Sequence, residues 1–243
     1  MSKKSKQKQP TYYNLKKNRK KLSFKVATFL TKIIIHKPKY KFTKEEWPNE
    51  PIVLLSNHVG KKAPSKIEIY SKRELMMWGA HEMAEGIGSM HKYLTTIYYH
   101  EKKHLPKWLA WIVGTVVCPF VNARYQGMRI IPTYRDHNFF LSLKLSIKEF
   151  EEGKDIVIFP EDSTEGYKDE IEKFFSGFVA LLEMLLRKGR DVPVFVTYFN
   201  KKINTFIVSE MMRFSELKNK YNDRDAIAEA LRIKMNDLRG IKA

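Results

Sequence analysis

Pro51-Ile-Val-Leu-Leu-Ser56, followed directly by Asn57 and His58, is the stretch on which the fold turns. A short, continuously apolar run between a proline and polar residues suits a strand covered on both faces, where neither side meets water. Working outward, the same pattern returns at Asp155-Ile-Val-Ile-Phe-Pro160 and at Val192-Pro-Val-Phe-Val-Thr-Tyr198, with a shorter version from Arg129 to Pro132. Helical periodicity fills the intervals over 88–101, 105–114, 138–151, 175–188 and 224–238. In the last of these, Ile227, Leu231, Met235 and Leu238 form one stripe ahead of Gly240. Strands alternating with such helices predict an α/β fold, a single layered domain with a mixed, largely parallel central sheet flanked by helices. In open sheets of this kind ligands collect where strands end and loops begin.

The charge is placed unevenly. Of the formal +18, residues 1–44 carry fifteen Lys or Arg and no acid, so everything after Lys44 amounts to only +3. Residues 1–20 lack an apolar face and read as a basic flexible tail. Residues 21–47 read as a membrane-associating helical segment, in which Leu22, Phe24, Phe29, Leu30 and Ile33 alternate with Lys21, Lys25 and Lys32. The folded body is expected over 48–243. A basic arm can meet nucleic acid, anionic lipid or water, since attraction to a polyanion needs no particular geometry. No aromatic stacking platform or nucleic-acid motif accompanies it, so an anionic membrane surface is the expected partner and nucleic acid is not. The start lacks a secretory signal and points to a cytoplasmic protein, peripheral on the inner face of the membrane. Trp108 to Val121, the most apolar run, is too short for a spanning helix and reads as buried or interfacial. Cys118, the only cysteine, lies in that run and reads as an inert core thiol.

Three blocks carry candidate chemistry. His58, at the carboxyl end of a strand, can titrate near neutrality and take a proton from an alcohol or water. In Phe159-Pro-Glu161-Asp-Ser163-Thr164-Glu165, Glu161 and Asp162 can orient an imidazolium, while Ser163 and Thr164 offer hydroxyls and backbone amides to an oxyanion; the block is equally a polar turn capping the next helix. Gly127 to Arg135 is a short strand delivering an arginine, whose fork grips phosphate as lysine cannot. His81, His91, His100 and His104 invite a metal reading, but no acidic or cysteine partner completes a zinc spacing, and no metal is expected.

The order of these blocks is informative. Asn57-His58 after a strand, Gly127…Ile-Pro…Arg135, Phe159-Pro-Glu161, Phe174-Phe-Ser-Gly177 and Val192-Pro-Val194 together resemble the lysophospholipid and 1-acylglycerol-3-phosphate acyltransferase family, across about residues 50–200. The resemblance implies a glycerol-3-phosphate acyltransferase-like fold. It also implies transfer of a fatty acyl group from acyl-CoA or acyl carrier protein to a hydroxyl of a lysolipid or glycerol-phosphate acceptor, with no further cofactor. His58 would be the general base, Arg135 the phosphate grip and Glu161 the motif glutamate. Asn57, Ser163 and Thr164 would stand beside the substrate.

The chain departs from the family pattern at several places. The aspartate expected five residues after the histidine is Ala63, so Glu68, and after it Glu161, are the candidate acids to support the ring. Asp162 and Thr164 replace the glycine and arginine of Phe-Pro-Glu-Gly-Thr-Arg, and Phe175 replaces a lysine. Lys61, Lys62, Lys168 or Lys173 are candidates to restore the lost cation. These departures leave open a second possibility, a catalytically silent relative that binds lipid.

Overall fold

The structure, a computed structural model, describes residues 21–60, 62–163 and 166–241. The basic tail, Lys61, Thr164 and Glu165 lie outside them.

The strands are β1 (Lys39–Phe42), β2 (Val53–Ser56), β3 (Leu75–Ala80), β4 (Ile130–Thr133), β5 (Asp155–Ile158), β6 (Pro193–Asn200), β7 (Thr205–Val208) and β8 (Met212–Arg213). Among the described residues they form one sheet in the order β1-β7-β6-β2-β5-β3-β4, with β8 on β6. β6, β2, β5, β3 and β4 run parallel, whereas β7 and β8 run antiparallel to β6 and β1 runs parallel to β7. The fold is therefore the mixed, largely parallel α/β sheet expected from the sequence.

Strand alternation divides the core in two. Val53, Leu55, Ile156, Ile158, Val194 and Val196 face helices α6 (Phe139–Glu151), α7 (Gly177–Arg187), α8 (Phe214–Lys220) and α9 (Arg224–Arg239). Ile52, Leu54, Val157 and Phe195 face the other way, toward α1 (Leu22–Ile34) and α2 (Lys62–Tyr70). Continuous apolar runs are thus the consequence of a sheet buried between two helical layers. At the amino-terminal edge, Asp155 accepts from the Ile52 amide at 3.1 Å and from Arg73 Nη2 at 2.7 Å. Arg73 also reaches the Pro48 and Glu50 carbonyls. One ion pair so fastens the starts of β2, β3 and β5.

The structure differs from the sequence reading in three places. The segment 21–47 is not helical throughout. Its helix ends at Ile34, and Lys-Tyr-Lys-Phe of β1 joins the sheet, with Tyr40 stacked on Phe206 at 5.2 Å. The two-residue alternation of that short basic run is a strand signal that its charge conceals. The helix expected at 105–114 is α5 (Lys107–Tyr125), which continues through Gly114 and Pro119. A Cβ on Gly114 would lie 2.6 Å from Thr95 Cγ2, so this glycine marks close packing and not a stop. The periodic stretch 88–101 contains α4 (Ile87–Lys92) followed by a π-helical segment, Tyr93–Glu101, which closes with the Lys102 amide on the Ile97 carbonyl. A short helix α3 (His81–Ala84) precedes them.

α1 docks on α5. Phe24 packs so closely over Gly127 that a Cβ there would lie 2.2 Å from its ring, and Arg124 Nη1 donates to Thr28 Oγ1 at 3.2 Å. The outward faces stay apolar, with Phe29 64%, Ile33 60%, Trp108 67% and Val116 75% exposed. No helix among the described residues is long and apolar enough to cross a membrane. Cys118 is buried against the Ile87 carbonyl, and burial holds its thiol pKa up.

Candidate active site

The parallel strands bring the sequence blocks to one edge of the sheet. β2 ends at Ser56, β5 at Ile158 and β4 at Thr133, so His58, Phe159–Ser163 and Arg135 all leave the carboxyl ends of strands.

The backbone after β2 turns sharply. Val59 and Gly60 both have positive φ, 42° and 64°. A left-handed conformation is easy for glycine and strained for a β-branched residue. The turn carries the Gly60 carbonyl back onto His58 Nδ1 in a short contact. A carbonyl only accepts, so the neutral ring holds its proton on Nδ1 and keeps its lone pair on Nε2. The ring lies face to face with Tyr167 at 4.9 Å and edge-on to Phe159 at 5.1 Å. Burial pulls its pKa down to about 4, the Gly60 carbonyl works against that shift, and the charge of Lys102 adds to it. His58 is therefore neutral at pH 7, as a base must be.

Glu161 reaches this histidine through the backbone. Its Oε2 accepts from the His58 main-chain amide at 2.9 Å. The loop that carries it is pinned by a short ladder, in which Glu161 bridges Phe174, the Asp162 amide donates to the Lys173 carbonyl at 3.0 Å and the Phe175 amide to the Pro160 carbonyl at 2.8 Å. Burial raises the Glu161 pKa, while the His58 amide and the Lys102 charge oppose the rise.

Two assignments made from the sequence have other employment here. Glu68 does not support the imidazole. Its buried carboxylate takes Arg124 Nη2 at 2.9 Å, a pairing invisible in sequence because 56 positions separate the partners. Among the described residues no carboxylate contacts the His58 ring; the Gly60 carbonyl occupies Nδ1, and Ala63 packs into the apolar core beside Ile67. Asn57, 3% exposed, is turned inward as well. It accepts from the Phe199 amide at 2.6 Å and donates to the Phe199 carbonyl at 3.2 Å, continuing the β2–β6 ladder one residue past Ser56. Its side chain is committed to the Phe199 backbone and holds the start of the His58 loop in place.

Arg135 and Ser163 do stand at this edge. Arg135 is exposed, with its guanidinium over the Phe175 ring at 5.7 Å, so the aromatic residue in the lysine's place supports the arginine. Ser163 Oγ accepts from Lys102 Nζ at 3.0 Å. Thr164 lies outside the described residues. Lys102 and Tyr167 are site residues that sequence reasoning missed. The lysine sits in a basic run, Lys102-Lys103-His104, indistinguishable from a solvated loop. Lys168, a candidate replacement cation, pairs with Glu172 at 2.7 Å. Among the described residues no three His, Cys, Asp or Glu gather to hold a metal ion.

No family model matches the chain, and no curated protein matches it in sequence. Among solved structures, the 1-acyl-sn-glycerophosphate (LPA) acyltransferase PlsC of Thermotoga maritima shows a likeness covering 96% of this chain and 83% of that one, at TM-score 0.44 and 13% identity.

Proposed function

We propose that this protein is an O-acyltransferase that moves a fatty acyl group from acyl-CoA or acyl carrier protein to a hydroxyl of a lysolipid or glycerol-phosphate-like acceptor at a membrane surface. The observation that carries the proposal is the His58 ring at the end of β2, proton-bearing on Nδ1 toward Gly60, with its backbone clasped by the glutamate of the Phe-Pro-Glu block. Nε2 takes the proton from the acceptor hydroxyl as its oxygen attacks the thioester carbonyl. The C–O bond forms, the C–S bond breaks, and the thiolate leaves with that proton. The Gly60 carbonyl supports the imidazolium in the role a carboxylate serves elsewhere, more weakly because it carries no full charge. Arg135 holds the acceptor's phosphate.

The outward faces of α1 and α5 support a membrane location. They join exposed aromatic and aliphatic side chains to Lys21, Lys25 and Lys32, a combination suited to an anionic lipid surface. The catalytic test is thiol release from long-chain acyl-CoA with a panel of lysophospholipids. Turnover lost in folded His58→Ala supports the proposal, and full turnover in that variant removes His58 from its role.

A second reading, an acyltransferase-like protein that binds lipid without turning it over, is favoured by the stacking of Tyr167 on the ring and by the absence of a supporting carboxylate among the described residues. Vesicle or acyl-chain binding with no transfer from any donor would establish it.

A further inference from the structure

At the end of the sheet away from His58 the described residues enclose a cavity of about 220 Å³. It lies on the face that α2 covers, beside the starts of β2, β3 and β5 at Ile52, Leu75 and Asp155. Its aromatic wall is held in place by other rings. Trp47, in the loop between β1 and β2, stands edge-on to Phe42 at 4.9 Å, to Phe195 at 5.0 Å and to Tyr40 at 6.5 Å. Tyr40 is stacked in turn on Phe206. The floor is aliphatic, formed by core residues such as Ile52, Leu54 and Ile67. An apolar hollow with a few polar groups at its border is the usual form of a small-molecule site.

Those polar groups are unequal. Both carboxylate oxygens of Asp155 are taken by Arg73, and one of them also by the Ile52 amide. Arg73 spends further donors on the Pro48 and Glu50 carbonyls. The Tyr70 hydroxyl donates to the Ile35 carbonyl at 2.6 Å, and Ser71 Oγ to the Arg73 carbonyl at 3.2 Å. What is left over donates: the Tyr40 hydroxyl, the Trp47 indole N–H and the exposed ammonium groups of Lys37 and Lys72. Among the described residues none of these side chains has a hydrogen-bond or ion-pair partner, and neither ring atom is sealed from water. Indole and ammonium nitrogens cannot accept. A hollow bordered by idle donors and cations, whose one carboxylate is already neutralised by an arginine, selects an acceptor with negative charge.

We propose that this cavity binds a small apolar monocarboxylate, its hydrocarbon body among Tyr40, Phe42 and Trp47 and its carboxylate held by the Tyr40, Trp47, Lys37 and Lys72 donors. At about 30 Å³ for each water-sized heavy atom, the space takes a body of roughly seven heavy atoms. That is the hydrocarbon part of octanoate or of phenylacetate. None of the residues at the His58 edge lines the cavity, so the site stands whether or not the chain transfers acyl groups.

The test is titration of the isotope-labelled full chain with octanoate and with phenylacetate, followed by NMR at the Trp47 indole N–H, a signal assigned by its loss in Trp47→Phe. Ligands of this size in such a site bind with a dissociation constant on the order of a millimolar. Both acids should shift that signal saturably. Affinity should fall roughly tenfold when Lys37→Gln and Lys72→Gln are combined, and about threefold or more in Tyr40→Phe. Native affinity is expected in His58→Ala and in Lys188→Gln, whose lysine sits on the Glu151 carboxylate in the opposite helical layer. Octanol and octylamine carry the same body on a neutral or cationic head and should bind about tenfold more weakly than octanoate. Urea midpoints identify folded variants, and the two lysines are exposed, so their replacement spares the core. The proposal is overturned by no saturable shift with either acid, by native affinity in both the folded double lysine variant and Tyr40→Phe, or by octylamine binding as tightly as octanoate. Loss of the response in folded His58→Ala would overturn it too, by placing the ligand at the other edge. So would a response to laurate alone, which would make the hollow part of a longer acyl channel.

Discussion

Replacing Glu68 with alanine separates a structural carboxylate from a catalytic one. Glu68 is 3% exposed and Arg124 5%, with Oε2 and Nη2 2.9 Å apart. Removing the carboxylate strands a buried guanidinium, whose recorded side-chain partner is then Thr28 Oγ1 at 3.2 Å. Breaking a buried pair from one side costs roughly 3–5 kcal/mol, whereas replacing both partners with apolar residues of similar size is often neutral or better. Glu68→Ala should therefore lose about 3–5 kcal/mol, and the double change Glu68→Leu with Arg124→Met should lie within roughly 2 kcal/mol of wild type. Urea unfolding of Glu68→Leu, Arg124→Met and the double variant gives the coupling, expected at about 2 kcal/mol or more. Glu68→Ala protein that remains folded should keep its acyl-transfer rate, because the carboxylate faces α5 and not His58. A loss under about 1 kcal/mol, or inactivity in a fully folded variant, would refute this assignment and return Glu68 to the imidazole.

Other substitutions probe the surroundings of the histidine. Asn57→Ala leaves the Phe199 amide and carbonyl unpaired and should cost roughly 2–4 kcal/mol, with faster amide exchange at Phe199 as the local readout. Gly60→Ala meets no steric obstacle, so its expected penalty of about 1 kcal/mol is that of a left-handed backbone; activity should fall as the carbonyl leaves the ring. Val59→Gly should stabilise the protein by about 1 kcal/mol in urea unfolding, since it relieves a β-branched residue at φ 42°. Gly127→Ala forces a Cβ into Phe24 and should loosen α1, seen as faster proteolysis after Lys21 and Lys25 with the core transition little changed.

How far the chain could be read follows from which interactions are local. β2, β5 and β6 announce themselves because burial on both faces demands an unbroken apolar run, and the carboxyl ends of β2, β5 and the shorter β4 mark where His58, Glu161 and Arg135 emerge. β1 and β7 stayed hidden for different reasons. Lys-Tyr-Lys-Phe is short and charged, whereas Thr-Phe-Ile-Val follows β6 so closely that its pairing depends on a turn through Asn204 at φ 51°. The extent of α5 was concealed by Gly114, which reads as a breaker until Thr95 is seen against it. Within the site, the roles of Glu68, Asn57 and Lys102 depend on partners 56, 142 and 61 positions away, a distance over which residue type and spacing carry no information.

In the proposed mechanism His58 works as a neutral base whose proton sits on Nδ1 against Gly60. Its most direct test is the pH dependence of kcat/KM for acyl transfer to a phosphodiester lysolipid, an acceptor that does not itself titrate between pH 4 and 8. A base acts when unprotonated, and burial depresses this one to about 4, so the rate should climb through pH 4–5 and run level across 6.5. Folded His58→Ala should abolish the reaction across that range. An acid limb centred at 6.5 would contradict a lowered His58 pKa, and an unchanged profile in His58→Ala would contradict the mechanism itself.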